Sequence, residues 1–491
     1  MEAILGLDVG TTTTKAVLFD LNGAELARAV SPPYRNHTPQ PGWAEQDPEE
    51  IWTAVLTAIR HITARIDKTV AIRALSMAVQ SGSLLPAAAD GTPVYPLITW
   101  MDGRSAELVQ QWREAGIPAQ LKPINGWSLY PGFCLPNIAW LRQHDPHTFA
   151  AARRFLSLND FLAYRLTGQF VTNPSNGGGM QLVDIHTGQW GRDICDRLGI
   201  TPEQLSTIRP SGSVIGEILP AVRRAAGLPD GVVLVNGGHD QGCTALGLGV
   251  TAPGKILLAC GTAWVVTGVM DTLALDKVPA ALDWNFHAMN GRYTISQSLG
   301  GLGAAMEWWL NQAYRGPFGS ELRGEMFAAL DDELARTRPD SHLYFLPSTG
   351  GHDDRGAQQR GGFIGLQLGH SRANMARAVM ESAAFELRWL LEPVQQAGLP
   401  VNRLWMMGGA AQSPHWPQIL ADVTGISISL PQYDTWPALG TAVLAGMGIG
   451  AFESIEDGLS RFQKPERDIA PDAAAQAQYD EMFERYREEN N

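Results

Sequence analysis

Two stretches far apart in the chain share one design: an apolar run, a Gly-Thr corner and a second apolar run. In the first, Ile4 to Asp20, Gly10 and Thr11 to Thr14 interrupt the apolar residues; in the second, Ile256 to Met270, Gly261-Thr262 does. Each reads as a β-hairpin whose tip is too small and polar to be a packing element. Either alone could be a turn closed for its own sake, but the repetition favours phosphate. Glycine lets backbone approach an anion, and the hydroxyls and N–H groups of Thr11, Thr12 and Thr13, like those of Gly261 and Thr262, can donate to its oxygens. Asp8, at the end of its strand, can face a hydrated cation. The pair predicts two related domains facing one polyphosphate.

At 491 residues the chain is long enough for two or three domains with large cores. Its formal net charge of -13 argues against nucleic acid or an anionic membrane as partner. Cys134, Cys195, Cys243 and Cys260 are scattered, without a CxxC pair, and read as reduced thiols of a cytoplasmic protein without a zinc site. No run of 18 apolar residues occurs, and no membrane segment is expected. The segment from Gly249 to Ile256 has GxxxxGK spacing, but Ile256 cannot ligand Mg²⁺ and a strand follows, so a Walker loop is excluded.

In chain order, Asn22-Gly23 predicts a turn into a third strand over 24–30. Asp47 and Pro48 can cap and open an amphipathic helix carrying Ile51, Val55, Ile59 and Ile62. A strand over 71–79 then delivers Gln80 to Ser83 at its C-terminal end, where ligands of α/β sheets collect. PLITWMDGR, 96–104, reads as another strand running into polar residues. GVVLVN, 231–236, is a buried-strand pattern followed by GGHDQG and a helix over 243–248. Asp240 on that turn either caps the helix or projects into a cleft as a general base. His239 is expected to point the other way, without a role.

Beyond the second hairpin, Gly303 and Glu307 lie four apart on one helix face, where a base could rest on the bare glycine. Gly409 and Ser413 lead into a helix over 414–423 whose N–H groups can hold the α-phosphate or ribose side of ATP, or the glycines serve tight packing. Ser371 predicts the N-cap of a helix that ends before Pro393.

GLDVGTTTTKAVLFD and LLACGTAWVVTG, together with PGWAEQDP, GGHDQG and the 361–381 segment, resemble the FGGY carbohydrate kinases of the actin-like ATPase superfamily over nearly the whole chain. The resemblance implies an α/β protein of two actin-like (ribonuclease H-like) ATPase domains flanking a deep cleft. Residues 1–245 would bind sugar and 246–491 nucleotide. ATP would be the co-substrate with Mg²⁺, and sugar the other small-molecule partner; a homodimer stays open. Asp240 falls on the family's catalytic aspartate. Gln80, Trp100, Asp102 and Gln241 fall near the acceptor, and Gly303 and Glu307 near adenine.

Gly82 stands where xylulose kinases carry the histidine of a QMHG motif, and Asn137 replaces a usual lysine. With CGTAW and Gly116-Ile117-Pro118, these look most like kinases of L-xylulose or 3-keto-gulonate type. The expected acceptor is therefore a ketopentose such as xylulose or a related keto-sugar acid, with gluconate or a polyol as the alternative. A reading of another class is an actin-like ATPase switch, which would turn over ATP equally well without sugar.

Overall fold

The computed structural model describes residues 1–314, 323–347, 361–433, 435–462 and 466–490. Both hairpins form, and each seeds a sheet. In the first half, β1 (Glu2–Val9) and β2 (Thr14–Asp20) pair antiparallel, and β3 (Glu25–Val30) follows the Asn22-Gly23 turn. With β4 (Ala71–Val79), β5 (Val214–Glu217) and β6 (Val233–His239) the order is β3-β2-β1-β4-β6-β5, in which β1, β4 and β6 run parallel.

The second sheet contains β7 (Gly254–Cys260), β8 (Trp264–Met270), β9 (Asp283–Phe286), β10 (Tyr293–Gly300), β11 (Val401–Gly408), β12 (Ser427–Pro431) and β13 (Glu466–Ile469). Its order is β9-β10-β8-β7-β11-β12-β13, with β7, β11 and β12 parallel. Setting β9 aside, it repeats the first sheet strand for strand and direction for direction. The two Gly-Thr corners therefore occupy equivalent places.

Helices cover both sheets. α1 (Pro48–Thr63) is capped by the Asp47 side chain, which accepts from Glu49 N–H, and it buries Ile51, Val55, Ile59 and Ile62. α2 (Leu158–Thr167) shares the core that α1 forms with the first sheet. α3 (Pro174–Gly179) lies near the end of β6, and α4 (Asp240–Leu248) follows β6 without a loop. In the second half α5 (Leu302–Ala313), α6 (Arg372–Gln396) and α7 (Trp416–Thr424) pack with the second sheet. α8 (Trp436–Gly448) follows β12, as α4 follows β6.

α4 and α8 lie between the sheets. Their layer joins Ile4, Val17, Ala74 and Val235 of the first sheet to Leu257, Val269 and Trp405 of the second through Ala245, Leu248, Ala438, Leu439 and Ala442. Each large aliphatic side chain buried there contributes roughly 1.5–3 kcal/mol, so the layer fastens the halves strongly. Backbone meets backbone at three glycines. A Cβ on Gly247 would run into Trp436 O, one on Gly440 into Cys243 O, and one on Gly6 into Ala438 O. The boundary expected between 245 and 246 falls inside α4.

Three local expectations differ from the structure. Only Leu97–Ile98 of the 96–104 stretch is strand, because Asp102 N–H turns back to Thr99 O and its side chain binds the turn. α6 runs through Pro393 to Gln396; so near the C-terminus the proline removes one hydrogen bond without ending the helix. The expected 414–423 helix starts at Trp416, after a 3₁₀ turn over Gly409–Gln412. Among the described residues no helix is long and apolar enough to cross a membrane.

Candidate active site

Parallel strands put their C-terminal ends at one edge, and β1, β4 and β6 end there together. Asp8 is level with Ala78, while Val9 and His239 both stand beside Val79. The hairpin tip 10–13, the segment 80–83 and Asp240 therefore converge although they are far apart in sequence. Asp240 is close enough to Asp8 for its charge to be felt there.

The tip is held open by its surroundings. Tyr34 donates through its hydroxyl to Gly10 O, and its own N–H donates to Thr12 O at 3.0 Å. Gln46 Nε2 donates to Thr11 O at 2.7 Å and accepts at Oε1 from Gln80 Nε2 at 3.1 Å. Trp100 Nε1 donates to Thr11 Oγ1 at 3.2 Å from a ring that stays 44% exposed. With its backbone so occupied, the tip leaves the side chains of Thr12 and Thr13 uncommitted. Gln80 Oε1, Ser81 Oγ and Gln241 Oε1 are buried without a hydrogen-bond partner. Buried polar atoms left unpaired cost about 1–3 kcal/mol each, and a hydroxylated ligand would satisfy them.

Asp102, expected beside the acceptor, is otherwise engaged. It accepts from Ala44 N–H at 2.6 Å and from the N–H, Nε and Nη2 of Arg104 at 2.8, 2.8 and 2.9 Å. A carboxylate offers about four lone-pair sites, so none is left for sugar. Asp102 instead clasps the 99–104 turn to Ala44. Arg104 is equally committed, to Glu45 Oε1 at 2.7 Å and to the face of Trp43 at 3.9 Å.

At Gly82 the backbone has φ of +83°, and a Cβ there would enter the ring of Phe133. Phe133, which packs edge-on against Trp127 at 5.5 Å, thus fills the space that a side chain at 82 would take. A histidine at 82 would therefore have to displace Phe133 and take up a left-handed backbone. Sequence reading left Phe133, Gln46 and Tyr34 out of the site, since only the fold brings them to it.

Asp240 is the first residue of α4, and its Oδ1 accepts from Gln241 N–H at 2.7 Å. The expectation for His239 fails: its Nε2 lies 2.9 Å from Asp240 Oδ1. Strand alternation would have turned the two side chains apart, but the strand ends at His239 and helical backbone begins at the next residue.

Burial, reinforced by the Asp240 charge and partly offset by Lys15, raises Asp8 from 3.8 to about 6. A carboxyl whose folded pKa exceeds its unfolded value lends stability at low pH that is lost as pH rises from about 4 through about 6. Asp8→Asn is therefore expected to raise the melting temperature of the ligand-free protein near pH 7.5, by the equivalent of about 2–3 kcal/mol, and to leave it unchanged near pH 4. Melting curves at both pH values check this; a lower melting temperature for the variant near pH 7.5 refutes it.

The second sheet repeats the arrangement at β7 and β11. The backbone of Gly408, with φ of +99°, abuts Cys260, which places Gly409 beside the Gly261-Thr262 tip. Gly303 lies so close to that tip that a Cβ would enter Gly261 O, and Ala304 N–H donates to Thr262 O at 3.0 Å. Glu307 projects from the next turn of α5, 3.5 Å from Arg323. Ser413 Oγ accepts from His415 and Trp416 N–H at 3.3 Å in the turn that leads into α7, which leaves its hydrogen for a ligand. β9 ties the halves together at the site: Asn285 Nδ2 donates to Ser175 O at 3.0 Å, and Ala288 packs against Gly238.

Comparison with known proteins matches residues 3–247 to the N-terminal domain and 257–449 to the C-terminal domain of the FGGY family of carbohydrate kinases. The L-xylulose/3-keto-L-gulonate kinase of Escherichia coli (strain K12) is 28% identical, the match covering 98% of this chain and 95% of that one. The xylulose kinase of Bacillus subtilis (strain 168) is 27% identical over 99% of this chain and 96% of its own. The crystal structure of a gluconate kinase from Lactobacillus acidophilus superposes with a TM-score of 0.90 at 25% identity, covering 99% of this chain and 97% of its own.

Proposed function

This chain belongs to the FGGY family of carbohydrate kinases, and from that premise we propose that it phosphorylates a ketopentose such as xylulose, or a related keto-sugar acid, with Asp240 as the general base. It is a phosphotransferase with an alcohol acceptor and has the two-domain actin-like fold of its family, which uses ATP as co-substrate. The observation that carries the site assignment is the convergence of Asp8, the 10–13 tip, Gln80 and Asp240 at one sheet edge, with unpaired Gln80 Oε1 and Gln241 Oε1 beside them.

In this reading residues 1–245 hold the sugar and 246–491 the nucleotide. Thr11 to Thr13 and Gly261-Thr262 grip the phosphates, Gly303 and Glu307 border the base, and Gly409 and Ser413 the ribose side. Gln80, Trp100 and Gln241 orient the acceptor. Its hydroxyl proton passes to Asp240 as its oxygen bonds to the γ-phosphorus and ADP leaves. Exclusion of water matters because water competes for the same phosphorus.

Phosphoryl transfer implies Mg²⁺, and Asp8 fits it: a carboxylate raised by burial and by Asp240 would be relieved by a cation. Among the described residues there is no cluster of three metal-ligating side chains, which suits an ion held mostly by phosphate oxygens and water. Bound there, it would neutralise charge on the β- and γ-phosphates. The four buried free thiols suit a reducing cytoplasm.

Gln80, Ser81, Trp100 and Gln241 are neutral and Arg104 is committed, which favours an uncharged ketopentose over a sugar acid. An ADP-release assay over pentuloses, sugar acids and polyols tests the proposal, with the largest stimulation expected from a pentulose. Equal ATP turnover with and without every sugar would sink it in favour of an ATPase switch; stimulation by gluconate or a polyol alone would move the acceptor to those classes.

A further inference from the structure

We propose that Tyr34 and Gln46 are positioning residues that turn the backbone N–H groups of the first tip toward the terminal phosphate of ATP. The role rests on the reading of Thr11 to Thr13 given above. Three consecutive carbonyls of the tip are held from outside it. Tyr34 Oη donates to Gly10 O, Gln46 Nε2 to Thr11 O at 2.7 Å, and Tyr34 N–H to Thr12 O at 3.0 Å. A trans peptide points its C=O and its N–H to opposite sides, and no cis peptide occurs among the described residues. The N–H groups of Thr11, Thr12 and Thr13 therefore each point away from the donor that binds the carbonyl before them. Among the described residues none of the three makes a hydrogen bond. Thr13 O is taken by Gly10 N–H at 3.2 Å, so the tip offers three donors and no free carbonyl, the polarity an anion needs.

Both donors are buried in the stretch 31–46 that follows β3, and both are fixed. Thr11 O can only accept, so Gln46 must turn Nε2 to it; Oε1 then accepts from Gln80 Nε2 at 3.1 Å, which holds the amide from its other side. The backbone of Gln46 pairs with Leu97, and the next residue, Asp47, caps α1. Burial pushes the Tyr34 hydroxyl above the usual tyrosine range, so it keeps its hydrogen for Gly10 O. The tip stands at the sheet edge where Asp240 also lies, so the phosphate it meets is the one to be transferred.

The test uses full-length wild type, Tyr34→Phe, Gln46→Met and Thr12→Glu, titrated by calorimetry with ADP and with the non-hydrolysable β,γ-imido analogue of ATP, both with Mg²⁺. Phenylalanine keeps the ring and the N–H bond to Thr12 O but loses the hydroxyl; methionine keeps the length of Gln46 but has no donor. Each is expected to weaken binding of the ATP analogue about 5- to 20-fold and to leave ADP within about twofold of wild type, because only the terminal phosphate meets the tip. ADP is the internal control, since a merely structural loss would weaken both nucleotides. Thr12→Glu sets a carboxylate at an exposed place on the tip and is expected to weaken the ATP analogue about 100-fold or more. If Gln46→Met does not fold, Tyr34→Phe decides.

Wild-type affinity for the ATP analogue in Tyr34→Phe and Gln46→Met, beside a loss in Thr12→Glu, overturns the positioning role and leaves the tip as the phosphate site. A loss in only one of the two overturns the role of the other. Equal weakening of ADP and the analogue also overturns the role, because the damage would then not be confined to the terminal phosphate. Wild-type affinity in Thr12→Glu removes the tip as the phosphate site, and the positioning role with it.

Discussion

Asp240→Asn is expected to lower sugar-stimulated ADP release by about 10²- to 10⁴-fold, the range general-base groups supply. The substitution keeps the size of the side chain and an oxygen able to accept from Gln241 N–H, so α4 should start where it does now. What it removes is an atom able to take the acceptor proton. KM for ATP should change little, because the proposed phosphate grips lie at 10–13 and 261–262. The measurement is kcat and KM under saturating nucleotide, with a melting curve alongside. Near-wild-type kcat would show that the proton leaves by another route.

Gly440→Val is expected to destabilise the protein by about 3 kcal/mol or more. Buried overpacking usually costs about 1–3 kcal/mol where side chains can shift, and more where they cannot. Here the obstruction is the carbonyl of Cys243, a backbone atom inside α4. Relief would require the two central helices to part, and with them the layer holding Ile4, Val17, Leu257 and Trp405. A lowered melting temperature and reduced yield of folded protein are the readouts. A variant that melts with wild type would mean that the helices do not touch at this crossing.

Much of the framework could be read from local chemistry. Gly10 and Gly261 stand between apolar runs of strand length, so both hairpins were legible, and Asp47-Pro48 marked the start of α1. The strand over 71–79 matches β4 residue for residue. The exact duplication of strand order was not legible, because pairing of β7 with β11 spans more than a hundred residues that carry no register signal of their own.

The site divides along the same line. Asp8, Asp240 and the threonines stood out as candidates because each sits where a strand stops. Gln46 and Phe133 were not, since one matters only through its bond to Thr11 and the other only through the space left by Gly82. Asp102 misled because a carboxylate two residues from an arginine can serve a ligand or its neighbour, and only the added donor from Ala44 shows which oxygen sites are taken. His239 misled because alternation was carried one residue too far.

The placement of α8 bears on how the molecule is made. Its backbone carbonyl at Ala438 rests on Gly6, yet the last strand of the first sheet is complete at His239 and the helix begins only at Trp436. During synthesis the inner face of that sheet must leave the ribosome long before its cover exists. A ribosome that pauses or stops between those points leaves Ile4, Val17, Ala74 and Val235 bare to water and open to association with other nascent chains. Premature termination in the second half should therefore yield insoluble fragments rather than a working first half.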